Sequence, residues 1–266
     1  MTPHRRVAGL ERLLGRLTLT CPYVVDVVQD GPGIRNRNTI PMARLFAMSP
    51  HGPDGLGRVT DLARREVFHL APGGILLLPP DRAYAFDFLP GMRMAACHFR
   101  LESAPGCDVF SGRLPLWRHD HADLAGGLCA IAAGETGLAA AVAFHGLLLQ
   151  AAALFITGEP PAPGRYAAVL ERIERSCRAD LAVADLAHGL GLGREHFTRG
   201  FRRRLGVSPR EHLHRRLTQR ACLRLLAGDK VKRVAADLGF SSEFVFSRFF
   251  KRRTGQSPSA YRGQRA

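Results

Sequence analysis

A chain of 266 residues, 46% of them apolar, can bury two ordinary domain cores, which excludes wholesale disorder. Its net charge of +15 is uneven: from Arg165 onward there are 23 Lys and Arg against nine Asp and Glu, whereas residues 1–164 hold 15 against 14. Six cysteines, at 21, 97, 107, 129, 177 and 222, form no C-x-x-C, which excludes a zinc-finger pattern and a disulfide framework.

Met1–Thr20 contains arginines and no apolar run of signal-peptide length. The longest apolar stretch, Leu138–Ile156, is interrupted by His145, Gly146 and Gln150, so it reads as a helix buried in protein and not as a membrane span. These features place the chain in a reducing cytoplasm. Between Leu17 and Phe110, Gly/Pro turns such as "DGPG", "APGG" and "LPG" bound short apolar runs, the texture of an all-β barrel or sandwich. Residues 120–156 are rich in Ala and Leu and predict two helices broken near Gly134–Gly137, the second with Val142, Leu149, Ala153 and Ile156 on one face. "GEPPAPG", residues 158–164, reads as a linker. The expected division is 1–157, 158–164 and 165–266.

The basic half repeats itself. Ala187, Leu190, Gly191, Leu192 and Glu195 recur 48 residues later as Ala235, Leu238, Gly239, Phe240 and Glu243, and Arg199, Phe201, Gly206, Ser208 and Pro209 recur at 49 as Arg248, Phe250, Gly255, Ser257 and Pro258. In the first copy a short helix ends at Gly191, whose backbone can take positive φ, and a second helix begins near Arg194. Phe197, Phe201 and Leu205 form its inner face, and Glu195, Thr198, Arg199 and Arg202 its outer face. Two short helices around a tight turn predict a helix-turn-helix, with the second helix presented to a major groove. The second copy offers Glu243, Phe244, Ser247 and Arg248 outward, with Val245, Phe246, Phe249 and Phe250 available for packing. Arginine forks match guanine O6 and N7, Thr and Ser reach base edges, and Glu accepts from a cytosine amino group. Arg202, Arg203, Arg204, Lys251, Arg252 and Arg253 follow as phosphate contacts. Between the copies, Pro209 opens a helix carrying Leu213, Leu217, Ala221 and Leu225 every four residues. About 18 residues span roughly 27 Å, near the ~34 Å turn of B-DNA, so a stiff spacer sets two reading heads in successive major grooves.

"LAVADLAHGLGLGREHFTRGFRRRLGVSP" and "DLGFSSEFVFSRFFKRRTGQSPSAYR" resemble the tandem DNA-binding domain of the AraC/XylS family of bacterial transcription regulators, over about residues 165–266. The resemblance implies a regulator that binds double-stranded promoter DNA, with RNA polymerase as a further candidate partner. It places Glu195, Thr198, Arg199, Glu243, Phe244, Ser247 and Arg248 in base-facing positions. It also implies an α+β multidomain chain: an N-terminal cupin-like β-barrel that binds a small-molecule effector, helices that form a homodimer, and an all-α C-terminal domain. Met94, Ala96 and His98 share one strand face, Tyr84 and Phe86 another, and these five are the candidate effector pocket. So few polar groups disfavour a carbohydrate effector.

The alternative is a metal-dependent cupin enzyme fused to a DNA-binding tail. "HDH" at 119–121 has ligand spacing but lies at the approach to the helices, and the strands themselves carry only His69 and His98, far apart. "EHLH" at 211–214 puts its histidines on different helix faces. No G-x-S-x-G, P-loop or G-x-G-x-x-G occurs, so no catalytic residue, metal ligand or cofactor is assigned.

Overall fold

The computed structural model describes residues 17–28, 33–118, 120–134, 137–156 and 163–263. Its strands are β1 (Thr18–Val28), β2 (Ile34–Thr39), β3 (Ala43–Met48), β4 (Gly57–Asp61), β5 (Glu66–Leu70), β6 (Ile75–Leu78), β7 (Ala83–Phe88), β8 (Arg93–Glu102) and β9 (Leu116–Arg118). They form two antiparallel sheets, ordered β1-β8-β3-β6-β9 and β2-β7-β4-β5.

The first sheet is covered on both faces. Phe46, Leu76, Leu78 and Met94 pack against Val59, Tyr84, Phe86 and Phe88 of the second sheet. Its other face, with Leu45, Leu77, Cys97 and Phe99, packs on α1 (Ala122–Gly134) and α2 (Leu138–Ala153). That is why β3 and β6 read as unbroken apolar runs. The second sheet shows its outer face to water, and β7 accordingly alternates, with Tyr84, Phe86 and Phe88 inward.

The expected closed barrel is not formed among the described residues: β1 and β2 are end strands of different sheets and do not pair. The reason is chemical. β2 reads Ile-Arg-Asn-Arg-Asn-Thr and is exposed over its first four residues, so it offers β1 no apolar seam on which to close. The break between α1 and α2 falls where glycines predict it, but the buried face of α2 differs from the expected one. Ala140, Phe144, Leu148 and Ala151 point inward, whereas Leu138 and Val142 are 81% and 63% exposed, and Leu149 and Ile156 lie outside as well. Of the expected linker, only Pro163 and Gly164 lie within the described residues, leading into a 3-10 turn at Gly164–Tyr166.

From there the chain is helical: α3 (Ala167–Arg175), α4 (Val183–His188), α5 (Arg194–Leu205), α6 (Pro209–Leu226), α7 (Val231–Asp237), α8 (Glu243–Thr254) and α9 (Pro258–Gly263). One core joins them, and Ile40, Met42 and Cys107 of the sheet region are part of it. The spacer helix α6 has the predicted 18 residues. Ser208 caps it by accepting the Glu211 amide at 3.2 Å, with Pro209 in the first turn.

Candidate nucleic-acid interface

The pairs α4–α5 and α7–α8 are the two predicted helix-turn-helix units. Gly191 and Gly239 turn the chain at φ +64° and +76°, a conformation that a side chain resists. Both α5 and α8 have 12 residues and both end at a left-handed glycine, Gly206 and Gly255.

The helix starts correct the repeat register. Arg194 opens α5 and Glu243 opens α8, 49 residues apart, so the inserted residue lies in the second turn, Gly239–Ser242, and not within the helix. Glu195 is therefore equivalent to Phe244, Thr198 to Ser247, Arg199 to Arg248 and Arg202 to Lys251. Glu243 matches Arg194, one step off the outward quartet. The burial agrees: in each quartet the second member is half-buried and the other three are exposed. Inward, Phe197 and Phe201 match Phe246 and Phe250, all fully buried. Val245, expected in the packing set, is exposed like its counterpart His196.

Phe244 is 68% exposed, and the Arg248 guanidinium lies over its ring, 5.8 Å from the centroid. The aromatic face holds the arginine fork beside the base-reading surface. Arg202, Arg203, Arg204, Lys251 and Arg252 are exposed at the helix ends. Arg253 is turned inward instead and forms a bidentate pair with Glu211 at 2.8 and 3.0 Å. In this structure it ties α8 to the start of α6 and is not presented to phosphate.

Sequence periodicity missed what covers the other side of α6. Arg216 is buried and binds Glu102 of β8 at 2.6 Å, Gln219 at 2.6 Å and Glu174 of α3 through Nε at 2.8 Å. Gln219 donates to the Pro41 carbonyl at 2.8 Å and accepts from Arg100 of β8 at 3.1 Å. Further along, Arg215 pairs with Asp81 at 3.1 Å. The rod between the reading heads is thus bolted to the sheet region through buried charges, each matched by an opposite one.

The five pocket residues are brought together. Tyr84, Phe86, Met94 and Ala96 pack in the core between the sheets, and His98 lies on the same face of β8. Burial pushes the His98 imidazole down to about 3, so it is neutral at physiological pH. His119 lies outside the described residues; among those described, no three His, Cys, Asp or Glu side chains are grouped to hold a metal ion. No described helix is long and apolar enough to cross a membrane.

Comparison with known proteins agrees with this geometry. Residues 156–264 match a family model described as a helix-turn-helix domain. The MmsAB operon regulatory protein of Pseudomonas aeruginosa is 30% identical over 223 residues, 78% of this chain and 71% of that protein. An uncharacterised HTH-type transcriptional regulator of Staphylococcus aureus is 34% identical over 98 residues, 36% of this chain and 13% of its own length. Apo ToxT of Vibrio cholerae superposes with a TM-score of 0.63 at 15% identity, covering 94% of this chain and 98% of that one. ToxT bound to an unsaturated fatty acid superposes with a TM-score of 0.58 at 15% identity, over 92% and 94% of the two chains. The shared fold is N-terminal β-sheets followed by a helical C-terminal region. With the tandem reading heads and a relative aligned over most of both lengths, the chain belongs to the AraC/XylS family of DNA-binding transcription regulators.

Proposed function

We propose that this regulator reads promoter DNA at two half-sites with one chain and that a small molecule bound in its N-terminal region controls the reading. The observation that carries the first part is the matched pair of outward quartets, Glu195-Thr198-Arg199-Arg202 and Phe244-Ser247-Arg248-Lys251, on helices of equal length joined by an 18-residue spacer. Arg199 and Arg248 take base edges, with Glu195, Thr198, Phe244 and Ser247 beside them and Glu243 at the helix entrance. Arg202, Arg203, Arg204, Lys251 and Arg252 meet phosphates. Residues 1–157 act as the sensing and dimerising unit and 165–266 as the DNA-binding unit, in the cytoplasm. The exposed apolar stripe of Leu138, Val142 and Leu149 on α2 supports a homodimer contact, since water otherwise meets it directly. A fold neighbour that binds an unsaturated fatty acid supports small-molecule control. The cupin-like enzyme has no such support.

The test is a binding comparison on a site selected from genomic DNA. Arg199→Ala and Arg248→Ala are each expected to cost about 1–3 kcal/mol on that site and much less on random DNA. Equal losses on both would make these residues phosphate contacts and end the base-reading assignment.

A further inference from the structure

A ring of hydrogen-bond donors sits between the sheets with nothing to accept from it. In the first sheet, β1, β8 and β3 set Tyr23, His98 and Arg44 side by side in register. Tyr23 and His98 stack at 4.7 Å. Arg44 is 1% exposed, and its guanidinium lies 4.7 Å from the Tyr84 ring centroid and 5.1 Å from that of Phe86. It donates to Asn38 Oδ1 and to the Arg82 carbonyl, both uncharged acceptors. No ion pair to Arg44 occurs among the described residues, and its Nε has no hydrogen-bond partner. The Tyr84 hydroxyl, His98 Nδ1 and the Tyr261 hydroxyl are likewise buried without a partner in hydrogen-bond geometry. Tyr261 belongs to α9, in the DNA-binding region, and interacts electrostatically with both Arg44 and Tyr23.

The contrast with Arg216 is instructive. That arginine is equally buried, and two carboxylates meet it. A buried guanidinium without a counter-charge costs several kcal/mol, and aromatic faces offset part of that. Burial pushes the Arg44 guanidinium down to about 10, which still leaves it charged at neutral pH. The walls around it are apolar: Phe46, Leu78, Phe86 and Met94. The end of the row is unsealed, because β1 and β2 do not pair and Tyr23 and His98 are partly exposed.

We infer that Arg44, with Tyr84, His98 and Tyr261, forms the receptor for the carboxylate group of a small acid whose apolar body lies among Phe46, Phe86 and Met94. The inference rests on the effector reading above and names the ligand class. Tyr261 gives it a consequence: an anion at Arg44 is held by groups from both regions, so its occupancy bears on how the DNA-binding region is seated.

The experiment measures thermal unfolding of the full chain with octanoate, benzoate and phenylacetate, each beside its primary amide. At least one acid is expected to raise the Tm by about 5 °C at saturating concentration while its amide does not. Arg44→Met is expected to abolish that shift and, without any acid, to raise the Tm by removing an unpaired buried charge. Arg44→Lys should keep part of the response. Acid and amide acting equally, a shift that survives Arg44→Met, a Tm lowered by Arg44→Met alone, or no shift with any acid would each overturn the inference. Effector control itself fails separately: an amide that changes operator affinity would preserve it while removing the anion, and an acid that binds through Arg44 without changing operator affinity would do the reverse.

Discussion

The two reading heads share a backbone but are held in place differently. At the position where α8 has Phe249, packed on Phe240 at 5.1 Å and His214 at 5.4 Å, α5 has Gly200. A Cβ at Gly200 would meet the Tyr166 hydroxyl at 2.2 Å, so Tyr166 from the preceding turn fills the space that the second head fills from within its own helix. Ser242 caps α8 by accepting the Val245 amide, whereas Gly193 gives α5 no side-chain cap. The repeat also extends past each unit. His212 packs edge-on against Phe201 at 5.7 Å, as Tyr261, 49 residues later, packs against Phe250 at 5.4 Å. The duplicated frame has kept the contacts that orient the outward quartet and has varied the parts that anchor it.

This contrast can be broken at several points. Phe249→Ala should cost about 3–5 kcal/mol of stability in chemical denaturation, the range for emptying a buried aromatic site. Gly200→Ala should cost about 1–3 kcal/mol for the opposite reason, overpacking against Tyr166. If the two changes had equal and small effects, the heads would not differ in the way described.

Acid separates them next. Burial, with the Arg216 and Arg215 charges nearby, lowers the His212 imidazole from its ordinary value to about 4. An unfolded chain takes up this proton near pH 6.5 and the folded one does not until about 4, so stability is full above 6.5 and falls as pH drops through that window. The loss should reach up to about 3 kcal/mol by pH 4, and His212→Phe should remove it. An unchanged pH profile in that variant would assign the acid sensitivity elsewhere.

Smaller effects sharpen the comparison. Ser242→Ala should destabilise by about 1 kcal/mol, with no counterpart at Gly193. Phe244→Ala should weaken binding to the selected site by about 0.5–1 kcal/mol, because Arg248 loses the ring that steadies it. Equal binding with and without the ring would leave Phe244 as solvent-exposed surface only.

Much of the DNA-binding half is legible in the residues because its duplication prints itself: paired turn glycines, paired phenylalanines and paired basic runs. The register was misplaced by one position, since Glu195 and Glu243 look equivalent by type and only the helix starts reveal that the extra residue lengthens the turn. The buried polar face of α6 was invisible for a related reason. Arg216 and Gln219 read as solvated helix surface until β8 and Pro41 are seen to cover them. In α2 the residues are apolar on every side, so periodicity could not choose between the Phe144 face and the Val142 face. Arg44 gave no signal at all: one arginine in an apolar strand is unremarkable until its lack of an acidic partner is known.

The central claim is that one rigid spacer sets two base-reading helices on one face of a single duplex. The direct measurement is affinity on a series of the selected site with one to ten base pairs inserted between its two contacted segments. The account predicts a minimum near five inserted pairs, where the second segment is turned to the opposite face, with a loss at that spacing as large as that of Arg248→Ala on the uninterrupted site. Affinity that does not change across the series would contradict it.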